Sequence, residues 1–174
     1  MKLSNTPLYT ASQIQQRVAS LATQLSQDYQ GREVVALIVL KGGLHFGSDL
    51  IRNLTIPVAV DFIRAKSYDG AASTGIVEFL IPPSLPLNGK HVVILEDILD
   101  TGLTARAILE RVQADRPASV AICSLFDKPA RRKVDLEGQY IGFELDDHFV
   151  VGYGMDYEEQ YRELPDVYVL EPSD

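Results

Sequence analysis

From Ala11 to Tyr29 the apolar residues Ile14, Val18, Leu21 and Leu25 recur every three or four positions, which is the spacing of one face of a helix. The pattern then changes. Val34 to Leu40 is an unbroken apolar run rich in branched residues, too short for an ordinary helix, and predicts a strand covered on both faces. Lys41-Gly42-Gly43 ends it, Leu44 to Asn53 can form a helix, and Ile56 to Lys66 returns as a second strand with partial alternation. The chain therefore opens as a βαβ unit. Ser67 to Gly75 has almost nothing to bury and two glycines, and reads as a mobile loop. Ile76 to Ile81 is a further candidate strand, parted by Pro82-Pro83-Ser84-Leu85-Pro86 and Asn88-Gly89 from a buried-type strand at His91 to Leu95. After an acidic stretch and Gly102 come a helix over Thr104 to Arg116, a strand over Ala118 to Phe126, and the basic, proline-broken segment Lys128 to Lys133. Tyr140 to Leu145 and Phe149 to Gly154 are expected as short strands about a turn at Asp146-Asp147-His148, with Val167 to Leu170 as the last strand.

Strands alternating with helices predict an α/β fold with a mainly parallel, twisted sheet flanked by helices. A length of 174 residues is ordinary for a single core, and no repeat or low-complexity linker divides the chain, so one domain over 1–174 is expected. The formal net charge of -8 disfavours nucleic acid and anionic membrane as partners, since both need basic surface. An anionic ligand must therefore be held locally. No apolar stretch approaches the roughly 20 residues of a membrane span, and Met1 to Thr10 lacks the order of a signal peptide. The single Cys123 lies in an apolar run and reads as a small buried hydrophobe, which fits a reducing cytoplasm.

In open α/β sheets ligands bind beyond the carboxyl ends of the strands, where Asp97 to Thr104 is predicted to lie. The helix that follows offers unpaired N–H groups and a positive dipole end; Gly102 allows close backbone approach, and Thr101 and Thr104 can donate hydroxyls. A phosphate monoester suits such a turn. Glu96 and Asp97 can accept hydrogen bonds from vicinal sugar hydroxyls or hold Mg²⁺ through oxygen. Taken as composition alone, the same residues could be no more than an acidic loop capping a helix.

Their order decides between these readings. From Val92 to Thr104 the chain runs four apolar residues, Glu-Asp, two apolar residues, Asp-Thr-Gly, one free position and Thr. This resembles the phosphoribosyl-pyrophosphate motif of the type I phosphoribosyltransferases, with Leu103 more apolar than usual at the free position. Further matches point to the hypoxanthine-guanine branch of that family: Lys41-Gly42-Gly43, Val60 to Arg64, Lys66-Ser67-Tyr68 and Phe149 to Tyr157 all stand in matching order. The resemblance extends from about Val34 to Leu170.

The resemblance implies a type I phosphoribosyltransferase fold with a core over about 30–145 and a small hood over the base site from about 1–15 and 146–174. It implies transfer of phosphoribosyl from phosphoribosyl pyrophosphate to hypoxanthine or guanine, yielding IMP or GMP and pyrophosphate, with Mg²⁺ as cofactor. Glu96, Asp97, Asp100, Thr101, Gly102, Leu103 and Thr104 would then hold the phosphoribosyl group, and Asp100 would act as general base toward N7. Lys41, Gly42 and Arg162 would hold pyrophosphate. Phe149 would stack on the purine, Val150 and Asp156 would present polar groups to it, and Lys128 would donate to its six-position oxygen. Glu96, Asp97 and Asp156 are the implied metal ligands, and Ser67 and Tyr68 would lie on a lid. Read without those matches, Phe149 is a core aromatic, Lys128 a solvated loop charge and Asp156 an exposed turn carboxylate.

Asp146-Asp147-His148 departs from the proline-containing turn expected before Phe149, and Glu171 to Asp174 is unmatched. His45 and His91 lack Cys or His neighbours, so no zinc site is expected, and the G-x-G-x-x-G spacing of a dinucleotide site is absent. Two alternatives stay open: a non-catalytic sensor of phosphoribosyl pyrophosphate on the same fold, and a transferase preferring xanthine. A homodimer or homotetramer is expected only because closed homo-oligomers are common.

Overall fold

The computed structural model describes residues 1–67 and 77–172. Six strands form the central sheet: β2 (Val34–Val39), β3 (Val58–Ser67), β4 (Val77–Ile81), β5 (His91–Leu99), β6 (Ser119–Asp127) and β7 (Tyr140–Glu144). Their spatial order is β4-β3-β2-β5-β6-β7, parallel throughout except for β4, which pairs antiparallel with β3. The uniform burial of β2 follows from this position, since a strand between two parallel neighbours with helices on both faces has no solvated side.

Among the described residues, three α-helices cover the sheet. α1 (Ala11–Asp28) starts at a capping box in which Thr10 and Gln13 satisfy each other's backbone, and it buries Ile14, Val18, Leu21 and Leu25. α1 and α2 (Leu44–Asn53) cover one face, where Phe46 and Leu50 meet Ala36, Ile38, Val93 and Leu95. α3 (Leu103–Ala114) covers the other, where Ile108 and Val112 meet Leu37, Val92, Ile94 and Ile122. Because β3 lies on one side of β2 and β5 on the other, the winding reverses between β2 and β5, and a crevice opens beyond their carboxyl ends.

A second, three-stranded sheet in the order β1-β9-β8 joins the two ends of the chain. It consists of β1 (Lys2–Leu3), β8 (Val150–Val151) and β9 (Tyr168–Glu171). β1 has no apolar run to reveal it in the sequence; it exists because Lys2 and Leu3 find partners in Glu171 and Leu170. The expected strand from Phe149 to Gly154 is cut to two residues. Gly152, Tyr153 and Gly154 all adopt positive φ, which breaks the ladder and folds the chain back toward the crevice. The strand read as His91 to Leu95 is instead nine residues long, so the acidic pair lies within β5, which continues to pair with β6 at Glu96, Ile98 and Leu99. Ser67 closes β3, while Tyr68 and the rest of the expected loop lie outside the described residues.

Candidate active site

Three segments meet at the mouth of the β2–β5 crevice. The first is the turn between β5 and α3. Gly102 has φ +80°, and a Cβ there would come within 2.9 Å of Arg132 Cδ and Val134 Cγ2, so both backbone and space require glycine. Glu96, Asp100, Thr101, Gly102 and Thr104 line a cavity of about 140 Å³ before the first turn of α3. That is room for a tetrahedral anion at a helix N-terminus. The Leu103 N–H faces only a long 3.5 Å contact with Thr101 Oγ1, so it remains available to such an anion.

The second segment is Lys41-Gly42-Gly43 after β2. A Cβ on Gly42 would fall 1.9 Å from Asp97 Oδ2, so glycine at this place is what lets the Asp97 carboxylate lie against the backbone. Burial pushes the Glu96 carboxyl well above the usual range, and the neighbouring Asp97 adds to the effect. Burial also raises Asp97, against the pull of Glu96, of the Asp97 and Ile98 N–H groups and of Arg162. Glu96 Oε2 is buried without a hydrogen-bond partner, which leaves an oxygen free for a hydroxyl or a hard cation. Among the described residues no three His, Cys, Asp or Glu side chains form a metal cage. The donor set suits Mg²⁺, which commonly takes one or two carboxylates and completes its shell with water and substrate phosphates.

The third segment runs from Phe149 to Arg162. Gly154, at φ +101°, presses on Gly42, whose carbonyl oxygen would lie 2.2 Å from an added Cβ. Arg162 donates through Nη1 to the Gly154 carbonyl at 2.7 Å and pairs through Nη2 with Asp156 Oδ1 at 2.7 Å. The other Asp156 oxygen accepts the Glu159 N–H at 2.9 Å. Both oxygens of Asp156 are thus engaged, and its evident work in this structure is to hold Arg162.

Lys128 follows β6 and is buried, with its ammonium donating to the His148 carbonyl. Burial lowers its pKa, and the charges of Asp100 and Asp147 partly restore it against Arg131. Phe149 is half exposed and meets Tyr157 edge to face at 5.8 Å. β8 is an edge strand, and the Leu170 N–H donates to the Phe149 carbonyl at 2.8 Å. By the alternation of antiparallel pairing, the Val150 N–H and C=O then turn to the open edge.

Two arginines of the basic segment belong to the site although the sequence marks them only as part of a charge run. Arg131 Nε lies 2.7 Å from Asp100 Oδ1, and its Nη1 lies 2.8 Å from Asp147 Oδ1. Arg132 pairs with Asp127 and donates to the Asp100 carbonyl at 2.8 Å, which fixes the backbone beneath the turn. Glu159, outside that segment, also joins the site, 2.8 Å from Lys41 Nζ.

Residues 4–158 match the phosphoribosyl transferase domain family. The hypoxanthine-guanine phosphoribosyltransferase of Staphylococcus aureus (strain Mu50) is 43% identical over 167 residues, covering 95% of this chain and 93% of that protein. That of Bacillus subtilis (strain 168) is 38% identical over the same length and the same shares. Among solved structures, the Bacillus anthracis hypoxanthine-guanine phosphoribosyltransferase is 40% identical and superposes with a TM-score of 0.93 over 98% of this chain and all of that one. With the crevice, the turn and these likenesses in agreement, the chain belongs to the hypoxanthine-guanine phosphoribosyltransferase family.

Proposed function

We propose that this protein carries out purine salvage in the cytoplasm by Mg²⁺-dependent transfer of the 5-phosphoribosyl group from phosphoribosyl pyrophosphate to hypoxanthine or guanine, releasing IMP or GMP and pyrophosphate. The observation that carries the choice of base is Lys128, a buried ammonium with three donors, one of which goes to the His148 carbonyl. A six-position carbonyl can take a remaining proton; the amino group of adenine cannot, and a buried donor left unpaired is costly. The half-exposed Phe149 ring offers a face for stacking, and the free edge at Val150 offers backbone groups to the pyrimidine side. Asp156 lies on the segment that frames the same end of the crevice and acts there chiefly through Arg162.

The turn of Thr101, Gly102, Leu103 and Thr104 receives the 5-phosphate on backbone N–H groups and hydroxyls at the start of α3. Glu96 and Asp97 accept from the ribose hydroxyls and would supply the protein oxygens for Mg²⁺, while Asp156 could help hold a second Mg²⁺ only if it gave up Arg162. When bound, Mg²⁺ supplies charge neutralisation for the departing pyrophosphate. Lys41, the Gly42 backbone and Arg162 hold that pyrophosphate. As the base attacks C1 and pyrophosphate leaves, Asp100 takes or shares the N7 proton, for which it must exchange Arg131 for the purine.

The test is a competition assay in which the purified protein receives Mg²⁺, phosphoribosyl pyrophosphate and equimolar hypoxanthine, guanine, xanthine and adenine. IMP and GMP should accumulate first and AMP should be negligible. Absence of any nucleotide, together with no affinity for IMP or GMP, would overturn the activity, and predominant xanthosine monophosphate would replace the assigned base.

A further inference from the structure

The cations at the crevice mouth are already occupied by an anion of the chain's own. Glu159 Oε2 lies 2.8 Å from Lys41 Nζ and 3.2 Å from Arg162 Nη2, so a single carboxylate oxygen bridges the two. Lys41 reaches the place from the end of β2, and Arg162 comes from the far segment that Gly154 holds against Gly42. With Asp156 also on Arg162, two positive charges face two negative ones. The bridge lowers the Glu159 pKa, first through Lys41 and then through Arg162. Arg162 Nε remains buried without a hydrogen-bond partner, so the guanidinium is not saturated by these contacts.

The turn that carries Glu159 is built unusually. Tyr157 and Gln160 pair with each other at 3.2 Å and 3.0 Å, and the two residues between them, Glu158 and Glu159, have φ of 51° and 64°. Two left-handed positions in a two-residue hairpin are ordinarily filled by Asn and Gly, because a Cβ disfavours them. Here two glutamates fill them, and the Glu159 N–H is tied back to Asp156. The strained turn aims a carboxylate at the cation pair while leaving it 63% exposed, on a short tether free to swing into solvent.

We propose that Glu159 is a tethered competitor for the pyrophosphate subsite. It neutralises Lys41 and Arg162 in the free protein, yields as a diphosphate enters, and returns as the diphosphate departs. This rests on the assignment of Lys41 and Arg162 to pyrophosphate. Its consequence for the reaction is a weaker hold on the leaving product and a higher phosphoribosyl pyrophosphate requirement than the cations alone would give. Glu159 is therefore a positioning residue that acts through Lys41 and Arg162 and does not itself touch the reacting atoms.

Calorimetric titration with inorganic pyrophosphate and Mg²⁺ tests the idea on the wild type, Glu159→Gln, Lys41→Ala and the double variant, with GMP binding as a check that each is folded. Glu159→Gln should bind pyrophosphate about 3- to 10-fold more tightly, as expected for removing one exposed like charge from an anion site. Its KM for phosphoribosyl pyrophosphate should fall and inhibition by pyrophosphate should strengthen. The gain should shrink in the Lys41→Ala background, where half the contested charge is gone. Unchanged or weaker pyrophosphate binding by Glu159→Gln, or the same gain with and without Lys41, overturns the competitor. If Lys41→Ala leaves wild-type pyrophosphate affinity intact, the subsite assignment itself is wrong whatever Glu159 does.

Discussion

Asp100 stands where β5 gives way to the turn before α3, with its carbonyl fixed by Arg132 and its carboxylate held by Arg131. A group whose task is to take a proton as the transition state forms contributes to turnover more than to ground-state binding. Asp100→Ala should lower kcat with hypoxanthine by about 10²- to 10⁴-fold, the range for loss of a positioned general base, while KM changes several-fold at most. Steady-state kinetics decide the matter: equal loss in kcat and in affinity for IMP would make Asp100 a binding group. The residues around it show how much depends on side chains that are missing. At Gly42 and Gly102 an added Cβ would meet Asp97 Oδ2 at 1.9 Å and Arg132 Cδ at 2.9 Å, so these glycines are there for close approach as well as for flexibility.

At the scale of elements, the connection between β4 and β5 is secured by one carboxylate. Asp61 on β3 is buried and accepts from the Phe62 N–H, the Ser84 N–H and hydroxyl, and the Leu85 N–H, between 2.7 and 2.9 Å. Burial alone would raise its pKa, but the N–H groups of Leu85 and Phe62 and the Ser84 donors outweigh it and hold the carboxyl below the usual range. A folded pKa below the unfolded one means stability that is fully present above the unfolded value, about 3.9 for Asp, and that is lost as pH falls through the folded value. Asp61→Asn should cost about 1–3 kcal/mol at neutral pH, the penalty for leaving such donors poorly matched. Urea unfolding between pH 3 and 7 should also show a shallower acid slope in the variant. Parallel pH profiles for the two proteins would exclude Asp61 from the acid transition. The motif Val60 to Arg64 thus contains a structural anchor that neither its order nor its resemblance distinguishes from a ligand contact.

For the whole molecule, one group of exposed apolar side chains that the site does not use lies at one end of the sheet. Val60 and Phe62 on β3 are each 38% exposed, and Leu80 and Ile81 on β4 are 41% and 40% exposed. β4 is the edge strand, and among the described residues no further strand pairs with its outer side. A second copy of the chain is the expected cover, giving a homodimer or a homotetramer built from such pairs. Sedimentation at micromolar concentration should give at least a dimer, and Phe62→Glu should shift it toward monomer. A wild type that sediments as a monomer would remove the interface. The acidic net charge is compatible with a site for anions because the positive groups, Lys41, Lys128, Arg131, Arg132 and Arg162, gather in and around one crevice, where distance and burial let them act locally.

Hydrophobic period, strand length and the ordered run from Val92 to Thr104 were enough to read the class of fold, most of its elements and the glycine turn before α3, because each depends on neighbours close in sequence. β1 and the clamp on Asp100 by Arg131 and Arg132 were not readable, nor were the occupation of Asp156 by Arg162 and the approach of Glu159 to Lys41. Each of these depends on which strand ends and loops lie side by side once the sheet has wound in both directions from β2. Charges 118 residues apart in the chain, such as Lys41 and Glu159, acquire an interaction only when that winding brings them within reach.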